Sequence, residues 1–298
     1  MKSLHNEPIK QILNIIEQSP TQNLTVDMLA DAAYMSASNL HLVFKKLTGQ
    51  SLKSYIRGRK LTQSLNEIFN TNMRMIDIAQ EYGFAHEQSF HRAFRSEFGC
   101  TPGQARKQRY PLKIRERIKP EHVYNIQDGL MYGPVPVLVP GFEIAGIPTL
   151  FKDFDMQRDA CLPNQVGNIA YYNQLSTLPG AKHDTYIGYC DYSNPPDIEY
   201  IPSAIVTSPK HIPNGMKRIT IPTQQFLRFH YIGKHHPDKI TMDIAKETYY
   251  TIFHYLDLQQ RYRFHNTYHF ERIDEKDYDG VYCLMTLFYP MSDTTAKL

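Results

Sequence analysis

The chain has 298 residues, of which 42% are hydrophobic, and this predicts about two globular domains and excludes a disordered protein. Its net charge of +3 is unevenly divided: residues 1–119 hold 18 Lys and Arg against 10 Asp and Glu, whereas residues 120–298 hold 15 against 20. A basic N-terminal third is typical of a module that binds a polyanion. No apolar run reaches the roughly 18 residues that cross a bilayer, and the N-terminus has no signal-peptide core, so we expect a cytoplasmic protein.

The sequence gives no sign of a metal or cofactor site. Its four cysteines share no CxxC or other metal-binding spacing, and we expect them to be reduced and mostly buried; they are Cys100, Cys161, Cys190 and Cys283. No P-loop, GxGxxG, GxSxG or HExxH motif is present. The dipeptide His235-His236 is a poor metal pair, because neighbouring strand residues point to opposite faces.

The basic third contains one pattern twice, in residues 24–56 and in residues 73–106: a short amphipathic helix, a tight turn and a second helix. In the second helix of each unit the apolar residues recur at offsets of three and four, which places them on one face. They are Leu40, Val43, Phe44 and Leu47 in the first unit and Phe90, Ala93 and Phe94 in the second. Thr25 and Ser36 are suited to N-caps, and Gly49 and Gly99 to C-caps. Residues 52–70 predict a helix that links the units.

Helix, turn, helix is the plan of a DNA-binding unit, in which outward residues at the start of the second helix meet base edges in the major groove. These residues are Ser38, Asn39, His41 and Leu42 in the first unit and Glu87, Gln88, His91 and Arg92 in the second. Gln suits adenine, Arg suits guanine and Glu suits cytosine. Six cationic residues are candidates for phosphate contact, although each is equally well explained as part of a solvated helix face: Lys45, Lys46, Arg57, Arg59, Lys60 and Arg95.

Residues 8–109 resemble the DNA-binding domain of the AraC/XylS family of bacterial transcription regulators. The residues that carry the resemblance are Leu29-Ala30, Ser36, Leu40, Phe44-Lys45, Gly49, Tyr55, Arg59, Leu61, Ile78-Ala79, Gly83-Phe84, Phe90, Arg92, Phe94, Phe98-Gly99, Pro102 and Arg106. The resemblance implies two helix-turn-helix units on one chain, which enter successive major grooves on one face of the DNA. It also implies RNA polymerase as a partner.

Three positions depart from the family pattern. Tyr34 stands where the first turn usually has glycine, and a positive φ at tyrosine is strained, so we expect this turn to differ. Leu42 replaces a common arginine and is suited only to packing on a thymine methyl group. Ala105 replaces an aromatic residue. We therefore expect the second unit to read bases strongly and the first to rely more on the DNA backbone.

The acidic two thirds of the chain have a different sequence pattern. Residues 110–120 lack apolar periodicity and predict a linker between a DNA-binding domain, residues 1–109, and a second domain, residues 121–298. Short β-rich runs follow, interrupted by amphipathic helices near residues 157–177 and 240–256. This order predicts an α+β domain built from two strand-helix-strand-strand halves. A local echo supports the duplication, because residues 139–152 and residues 221–236 each lead from a Pro-bounded turn into a predicted long strand.

The second domain resembles the gyrase-inhibitor-like effector-binding domain. The matching features are Pro140-Gly141-Phe142, Gly146, Gly188, Pro222, Gly233, Phe270-Glu271 and Phe288-Tyr289-Pro290. The resemblance implies an aromatic cleft with a buried carboxylate, for which Glu271 is the candidate, facing a cationic or amphipathic ligand. The candidate wall residues are Tyr171, Tyr172, Tyr189, Tyr231, Tyr249 and Tyr250. The alternatives are that these tyrosines fill a core and that Glu271 pairs with Arg272 or another surface cation.

These observations predict a bacterial, nucleoid-associated regulator that binds double-stranded promoter DNA in a sequence-specific way and acts as an activator. Its C-terminal domain is expected to sense a small molecule or to contact a protein partner. We expect neither a cofactor nor enzyme activity. The alternative is a small-molecule hydrolase fused to a DNA-binding module, because some proteins with the gyrase-inhibitor-like fold hydrolyse small molecules.

Overall fold

The computed structural model describes residues 4–109, 111–151, 181–194, 197–207, 212–240, 242–259 and 267–291. The chain divides into two compact units, a helical unit that spans Asn6–Val123 and a sheet unit that begins at Tyr124. This arrangement confirms the predicted class, an all-α N-terminal domain followed by an α+β domain.

The helical unit contains eight α-helices in its described residues. They are α1 (Asn6–Gln18), α2 (Val26–Ala32), α3 (Ala37–Thr48), α4 (Leu52–Gln63), α5 (Leu65–Asn70), α6 (Met75–Glu81), α7 (Glu87–Phe98) and α8 (Pro102–Gln108). The pairs α2–α3 and α6–α7 are the two predicted helix-turn-helix units. Burial of the predicted apolar residues holds the second helix of each pair, since Leu40, Phe44, Phe90 and Phe94 are completely inaccessible to solvent.

The single linking helix predicted over residues 52–70 is instead two helices, α4 and α5, which meet at Ser64. The buried Ser64 hydroxyl donates a hydrogen bond to the Leu61 carbonyl at 2.8 Å. A serine hydroxyl that bonds back to the preceding turn competes with the helical hydrogen bonds and tends to bend a helix. The break therefore has a local cause in the sequence.

The sheet unit contains a ten-stranded sheet. Its strands are β1 (Val123–Ile126), β2 (Gly129–Val139), β3 (Phe142–Gly146), β4 (Thr149–Phe151), β5 (Ala181–Asn194), β6 (Asp197–Val206), β7 (Lys217–Ile221), β8 (Gln224–Gly233), β9 (Tyr268–Asp274) and β10 (Cys283–Pro290). The order across the sheet is β1-β2-β8-β10-β9-β5-β6-β3-β7, and β4 pairs with β6. The described helix of this unit, α9 (Met242–Gln259), confirms the second predicted helix. The first, near residues 157–177, lies outside the described residues.

The two faces of the sheet bury different sets of side chains, because successive strand residues point to opposite sides. One face packs against α9 and includes Leu227, Phe229, Tyr231, Met285, Leu287 and Tyr289 together with Ile244 and Ile252. The opposite face buries Ile187, Tyr189, Phe226, Phe270 and Phe288.

The predicted long strand within residues 139–152 is wrong. This stretch forms two short strands, β3 and β4, which pair with different parts of β6. Residues 147–148 between them are Ile-Pro, and proline has no N–H to continue the ladder of hydrogen bonds. Its counterpart within residues 221–236 does contain the long strand β8.

Candidate DNA-binding surface and candidate effector site

The two helix-turn-helix turns have the same geometry. Tyr34 has a φ of 53°, and Gly83, at the equivalent place in the second unit, has a φ of 75°. The next residue in each turn donates its N–H to a carbonyl five residues back, Met35 to Ala30 at 2.9 Å and Phe84 to Ala79 at 2.8 Å. The expectation that the first turn would differ is wrong, because Tyr34 takes the left-handed conformation that glycine usually supplies.

Capping interactions fix where the two helices of the first unit begin and where the second helix of each unit ends. The Thr25 and Ser36 side chains accept hydrogen bonds from Met28 N and Asn39 N, both at 3.2 Å, and so cap α2 and α3 as predicted. Gly49 and Gly99 end α3 and α7 with φ of 79°. We call α3 and α7 the reading helices.

Aromatic packing holds the second reading helix, α7. Phe84 meets Phe90 edge-on at 5.2 Å between ring centroids, and Phe94 lies 4.6 Å from Phe98. The opposite side of α7 carries the exposed row Gln88, Arg92 and Arg95. Beside this row, His91 Nε2 lies 3.4 Å from Glu87 Oε1. A guanidinium and an amide on a firmly packed helix are suited to hydrogen bonds with base edges.

The first reading helix, α3, borders a groove of about 1040 Å³. Ser38, His41, Leu42 and Lys45 line it from α3, at spacings that place them on one side of the helix. They stand fifty positions before Gln88, His91, Arg92 and Arg95, so the two reading helices present the same helical positions. Asn39 and Lys46, also predicted contacts, are partly buried and do not line the groove.

Helix α4 forms the basic floor of this groove. Lys53, Arg57 and Lys60 line it at offsets of four and three, which is one helical face. Asp27 is the one carboxylate among its lining residues, all of which belong to the described part of the chain. Lys53 was not predicted as a contact, although the i, i+4, i+7 spacing with Arg57 and Lys60 would have identified it.

Lys60 is the most unusual cation of the groove. Only 8% of its surface is exposed, and burial lowers the pKa of its ammonium group. Among the described residues we find no ion pair or hydrogen bond to this ammonium. Its Nζ lies against the second turn, 3.0 Å from where a Cβ on Gly83 would stand. A buried, uncompensated cation in a groove is suited to a phosphate.

Arg59 does not lie on this surface. Its guanidinium forms two hydrogen bonds of 2.7 Å with the Glu17 carboxylate, and the two side chains are only 11% and 7% exposed. This buried ion pair joins α4 to α1. The structure therefore gives Arg59 a role in the fold and removes it from the candidate DNA contacts.

In the sheet unit, the Glu271 carboxyl lies on the face that packs against α9. Tyr200 Oη donates a hydrogen bond to Glu271 Oε1 at 2.5 Å, and Tyr186 Oη lies 2.5 Å from Tyr200 Oη. Gly188 is the register partner of Glu271, and a Cβ at this position would lie 2.4 Å from Oε1. Glycine here makes the room that the carboxyl and the tyrosine occupy.

Burial raises the pKa of the Glu271 carboxyl, and the hydrogen bond from Tyr200 opposes that rise only in part. The sequence left open a pair between Glu271 and Arg272. The structure shows instead that Arg272 Nε pairs with Asp274 Oδ2 at 2.8 Å. Among the described residues, Glu271 has no cationic partner, so an ionised carboxylate here attracts a cation strongly.

An aromatic cluster continues from Glu271 on the same face. The His269 ring stacks on Tyr289 at 4.9 Å between centroids, and Tyr192 Oη lies 2.8 Å from His269 Nδ1. Tyr249 of α9 lies 6.4 Å from the same ring. Burial lowers the pKa of His269 to about 3, so this imidazole is neutral at physiological pH.

The predicted tyrosines fall in several places. Tyr249 lies in the aromatic cluster, and Tyr250 beside it is 58% exposed. Tyr189 lies on the opposite face of the sheet, stacked on Tyr268 at 5.4 Å. Tyr231 is fully buried in the core against α9. Tyr171 and Tyr172 lie outside the described residues.

The sequence did not assign five of these residues to the candidate site, namely Tyr186, Tyr192, Tyr200, His269 and Tyr289, the last of which entered only as part of the resemblance. The alternation Tyr186, Gly188, Cys190, Tyr192 along β5 was a usable signal, because it separates these side chains from Tyr189. Burial raises the pKa of the Cys190 thiol to about 12, which leaves it unreactive. Cys100, Cys190 and Cys283 are free and buried as expected, and Cys161 lies outside the described residues.

The described residues contain no group of three or more His, Cys, Asp or Glu side chains placed to hold a metal ion. No described helix has the length and hydropathy that a membrane-spanning segment requires.

Two family models match the chain. One, described as a helix-turn-helix domain, matches residues 29–108, and the other, described as an integron-associated effector binding protein, matches residues 137–291, just over half of the chain.

The transposon Tn10 TetD protein of Escherichia coli is 37% identical over 106 residues, which are 36% of this chain and 77% of that protein. The right origin-binding protein of Escherichia coli K12 is 34% identical over 124 residues, which are 39% of this chain and 43% of that protein. The match thus spans less than half the length of this second relative. A solved integron cassette protein from the mobile metagenome of Vibrio cholerae is similar to this chain with a TM-score of 0.39 at 13% identity. The match covers 54% of this chain and 99% of that protein.

Proposed function

Since the chain belongs to the AraC/XylS family of DNA-binding transcription regulators and carries an effector-binding domain behind its DNA-binding domain, we propose that it activates transcription from a promoter site that both helix-turn-helix units read. The observation that carries this proposal is the repeated row of outward residues. The reading helices present the same helical positions, and the basic floor of the groove lies beside α3. As in its family, the regulator acts by contact with RNA polymerase beside the promoter.

The two rows have different chemistry. Gln88 and Arg92 each offer hydrogen bonds that distinguish adenine and guanine. Ser38 and Leu42, at the matching positions of α3, offer one hydroxyl and one apolar contact. The second unit therefore supplies most of the base specificity. The first unit, with Lys45, Lys53, Arg57 and Lys60 around its groove, supplies most of the phosphate contact.

Arg92→Ala tests this assignment. We expect the variant to lose about 1–3 kcal/mol of binding free energy on the preferred site and to relax the base preference at one position. The preferred site is first selected from random DNA with the wild-type chain, and affinities are then measured by fluorescence anisotropy. Arg74→Ala is the matched control, because Arg74 is exposed and pairs with Asp77 on α6, outside both rows. Equal affinity and equal preference for Arg92→Ala and wild type would contradict the reading role of α7.

We further propose that the sheet unit senses a small cationic or amphipathic molecule at Glu271. What supports this is a carboxyl without a cationic partner among the described residues, surrounded by tyrosine rings that attract cations. Ligand binding changes the regulator's activity at the promoter. A protein partner at the same face is the alternative occupant.

Glu271→Gln tests the effector site. We expect roughly a tenfold loss of affinity, or about 1.4 kcal/mol, for hydrophobic quaternary ammonium compounds, with unchanged affinity for uncharged analogues of the same size. Calorimetric titration of the full chain measures both. Since the Glu271 pKa is raised, wild-type affinity for the cations should increase as the pH rises through it. Glu199→Gln is the control, because Glu199 pairs with Lys217. Equal cation affinity in both variants would remove Glu271 from the site.

A second candidate function, hydrolysis of a small molecule, is favoured by the hydrogen-bonded pair Tyr200–Glu271. A carboxyl group with a raised pKa is suited to act as a general acid. Mass spectrometry of the titrated compounds distinguishes the two functions: turnover by wild type that is lost in Glu271→Gln supports an enzyme, and intact compounds support a sensor.

A further inference from the structure

Residues 111–119 have no helix or strand, yet they are fixed on the helical unit; we call them the strap. We propose that Arg115 of the strap is a positioning residue that sets the separation of the two reading helices. This inference rests on the proposed reading of one DNA site by both units.

The Arg115 guanidinium joins the C-terminal ends of both reading helices. Its Nε and Nη2 donate to the Glu97 carboxylate at 2.7 and 3.0 Å, and its Nη1 donates to Gln50 Oε1 at 2.6 Å. Glu97 lies in the last turn of α7, and Gln50 follows Gly49, the C-cap of α3. One side chain therefore makes directed hydrogen bonds to both helix-turn-helix units.

The Arg115–Glu97 pair is stronger than an ordinary surface pair. The two side chains are 27% and 13% exposed, and the geometry is bidentate. Exposed ion pairs contribute little because water screens them and flexible side chains lose entropy. A bidentate pair with partial desolvation is more rigid and restricts direction as well as distance.

The backbone of the strap is held independently on α4. Arg115 N donates to Thr62 Oγ1 at 3.2 Å, and Ile118 N donates to Tyr55 Oη at 3.0 Å. The Arg115 carbonyl accepts a hydrogen bond from Arg59 Nη1, and Arg59 is itself fixed by Glu17. The guanidinium therefore projects from an anchored point, as a positioning contact requires.

Gly58 gives a second, independent observation. It lies in the interior of α4, where glycine costs about 1 kcal/mol relative to alanine. A Cβ at Gly58 would stand 2.3 Å from Arg115 Nε, 2.6 Å from its Cδ and 3.1 Å from Glu97 Oε1. The glycine thus leaves the space through which Arg115 crosses α4 to reach Glu97.

Positioning has a specific consequence for DNA. Two reading units on one face of DNA meet grooves one helical turn apart, about 34 Å, so a change in their relative rotation changes the spacing that they accept. Loss of Arg115 should therefore weaken binding to the full site more than binding to either half-site, and should weaken the preference for one spacing.

The test uses the full-length chain and a bipartite site selected from random DNA by wild type. Affinities are measured for that site, for each half-site, and for sites with one base pair inserted or deleted between the halves. For Arg115→Met, which keeps the length of the side chain, we expect about a tenfold loss on the full site, no change on the half-sites, and a smaller penalty for altered spacing. Lys113→Met is the control, because it removes the same charge from an exposed position of the strap.

Gly58→Ala separates positioning from stability. It removes no charge and improves the intrinsic helix propensity of α4, but its Cβ displaces Arg115, so it should reproduce the loss of spacing preference. The exchange Glu97→Arg with Arg115→Glu should restore part of that preference. Unchanged spacing preference in both Arg115→Met and Gly58→Ala would overturn the inference, as would an equal loss on full site and half-sites. A wild-type chain that selects no bipartite site would instead overturn the proposed function together with this inference.

Discussion

At the scale of single residues, the backbone of Tyr34 is strained, and no packing around the residue offsets that strain. It holds a left-handed φ of 53°, and 94% of its surface is exposed, so packing does not compensate for the conformation. A left-handed non-glycine residue costs about 1–2 kcal/mol. The second unit avoids this cost with Gly83.

Tyr34→Gly should therefore stabilise the helical unit. We expect an increase of about 0.5–1 kcal/mol in its free energy of unfolding. The relief of backbone strain is larger than the entropic cost of ordering a glycine, which is more flexible in the unfolded chain. Differential scanning calorimetry of the full chain should show a rise of a few degrees in the transition of this unit. Tyr34→Ala retains a Cβ and serves as the control. A rise of the same size in both variants would show that the ring, not the backbone, destabilises the turn.

Two arginines show which properties of single residues could be predicted from the sequence. Arg92 is exposed on α7 as its periodicity predicted. Arg59 has equally basic neighbours but is buried against Glu17, which lies 42 positions earlier in the chain. Helical spacing says which face a residue occupies, whereas it does not say which other helix that face meets. The buried pair was therefore beyond prediction from one sequence.

At the scale of elements, α4 combines two duties on different faces. Its Tyr55 and Arg59 face α1 and the strap, and Lys53, Arg57 and Lys60 face the groove. Lys60 is buried there without a counter-charge among the described residues, and burial of an unpaired charge destabilises a fold. The buried Lys60 ammonium therefore places a cation in the groove and lowers the stability of the helical unit.

Lys60→Met should separate the effect of this cation on stability from its effect on DNA binding. The variant keeps an apolar stem and removes the buried charge, so we expect a higher melting temperature together with a several-fold weaker affinity for the selected DNA site. Thermal unfolding and anisotropy titration of the same preparation measure both. Lys53→Met, at an exposed position of the same face, should weaken binding without a gain in stability. A lower melting temperature for Lys60→Met would show that the ammonium is stabilised rather than strained.

The strands explain why the candidate effector site was only partly predicted. Sequence alternation locates strands and separates their faces, but the pairing of β5 with β9 brings together residues about 80 positions apart. That register places Gly188 beside Glu271 and Tyr189 beside Phe270. A shift of one residue would exchange these faces. Glu271 was predicted from the resemblance to a family, whereas its neighbours could be identified only from the pairing of the strands in the sheet.

At the scale of the whole molecule, charge is separated along the chain. Residues 1–119 hold 18 Lys and Arg against 10 Asp and Glu, and the remainder holds 15 against 20. An acidic second unit does not compete for DNA phosphates, and it favours cationic ligands over anionic ones through long-range attraction. The sign of charge therefore matches the function proposed for each unit.

This separation predicts a steep salt dependence of DNA binding. Five cations border the groove or extend the rows without being assigned to a base: Lys45, Lys53, Arg57, Lys60 and Arg95. If all five displace counterions from phosphates, the slope of log affinity against log salt concentration should be about −4.5.

Anisotropy titrations of the full chain between roughly 50 and 200 mM salt measure this slope. Lys60→Met should make it shallower by about 1, since one phosphate contact is lost. Glu199→Gln, which changes the net charge by one unit in the opposite direction but in the sheet unit, should leave the slope unchanged. A flat wild-type response would contradict a phosphate-dominated interface. Slope changes of equal size and opposite direction in the two variants would mean that total charge, rather than the cations of the groove, governs binding.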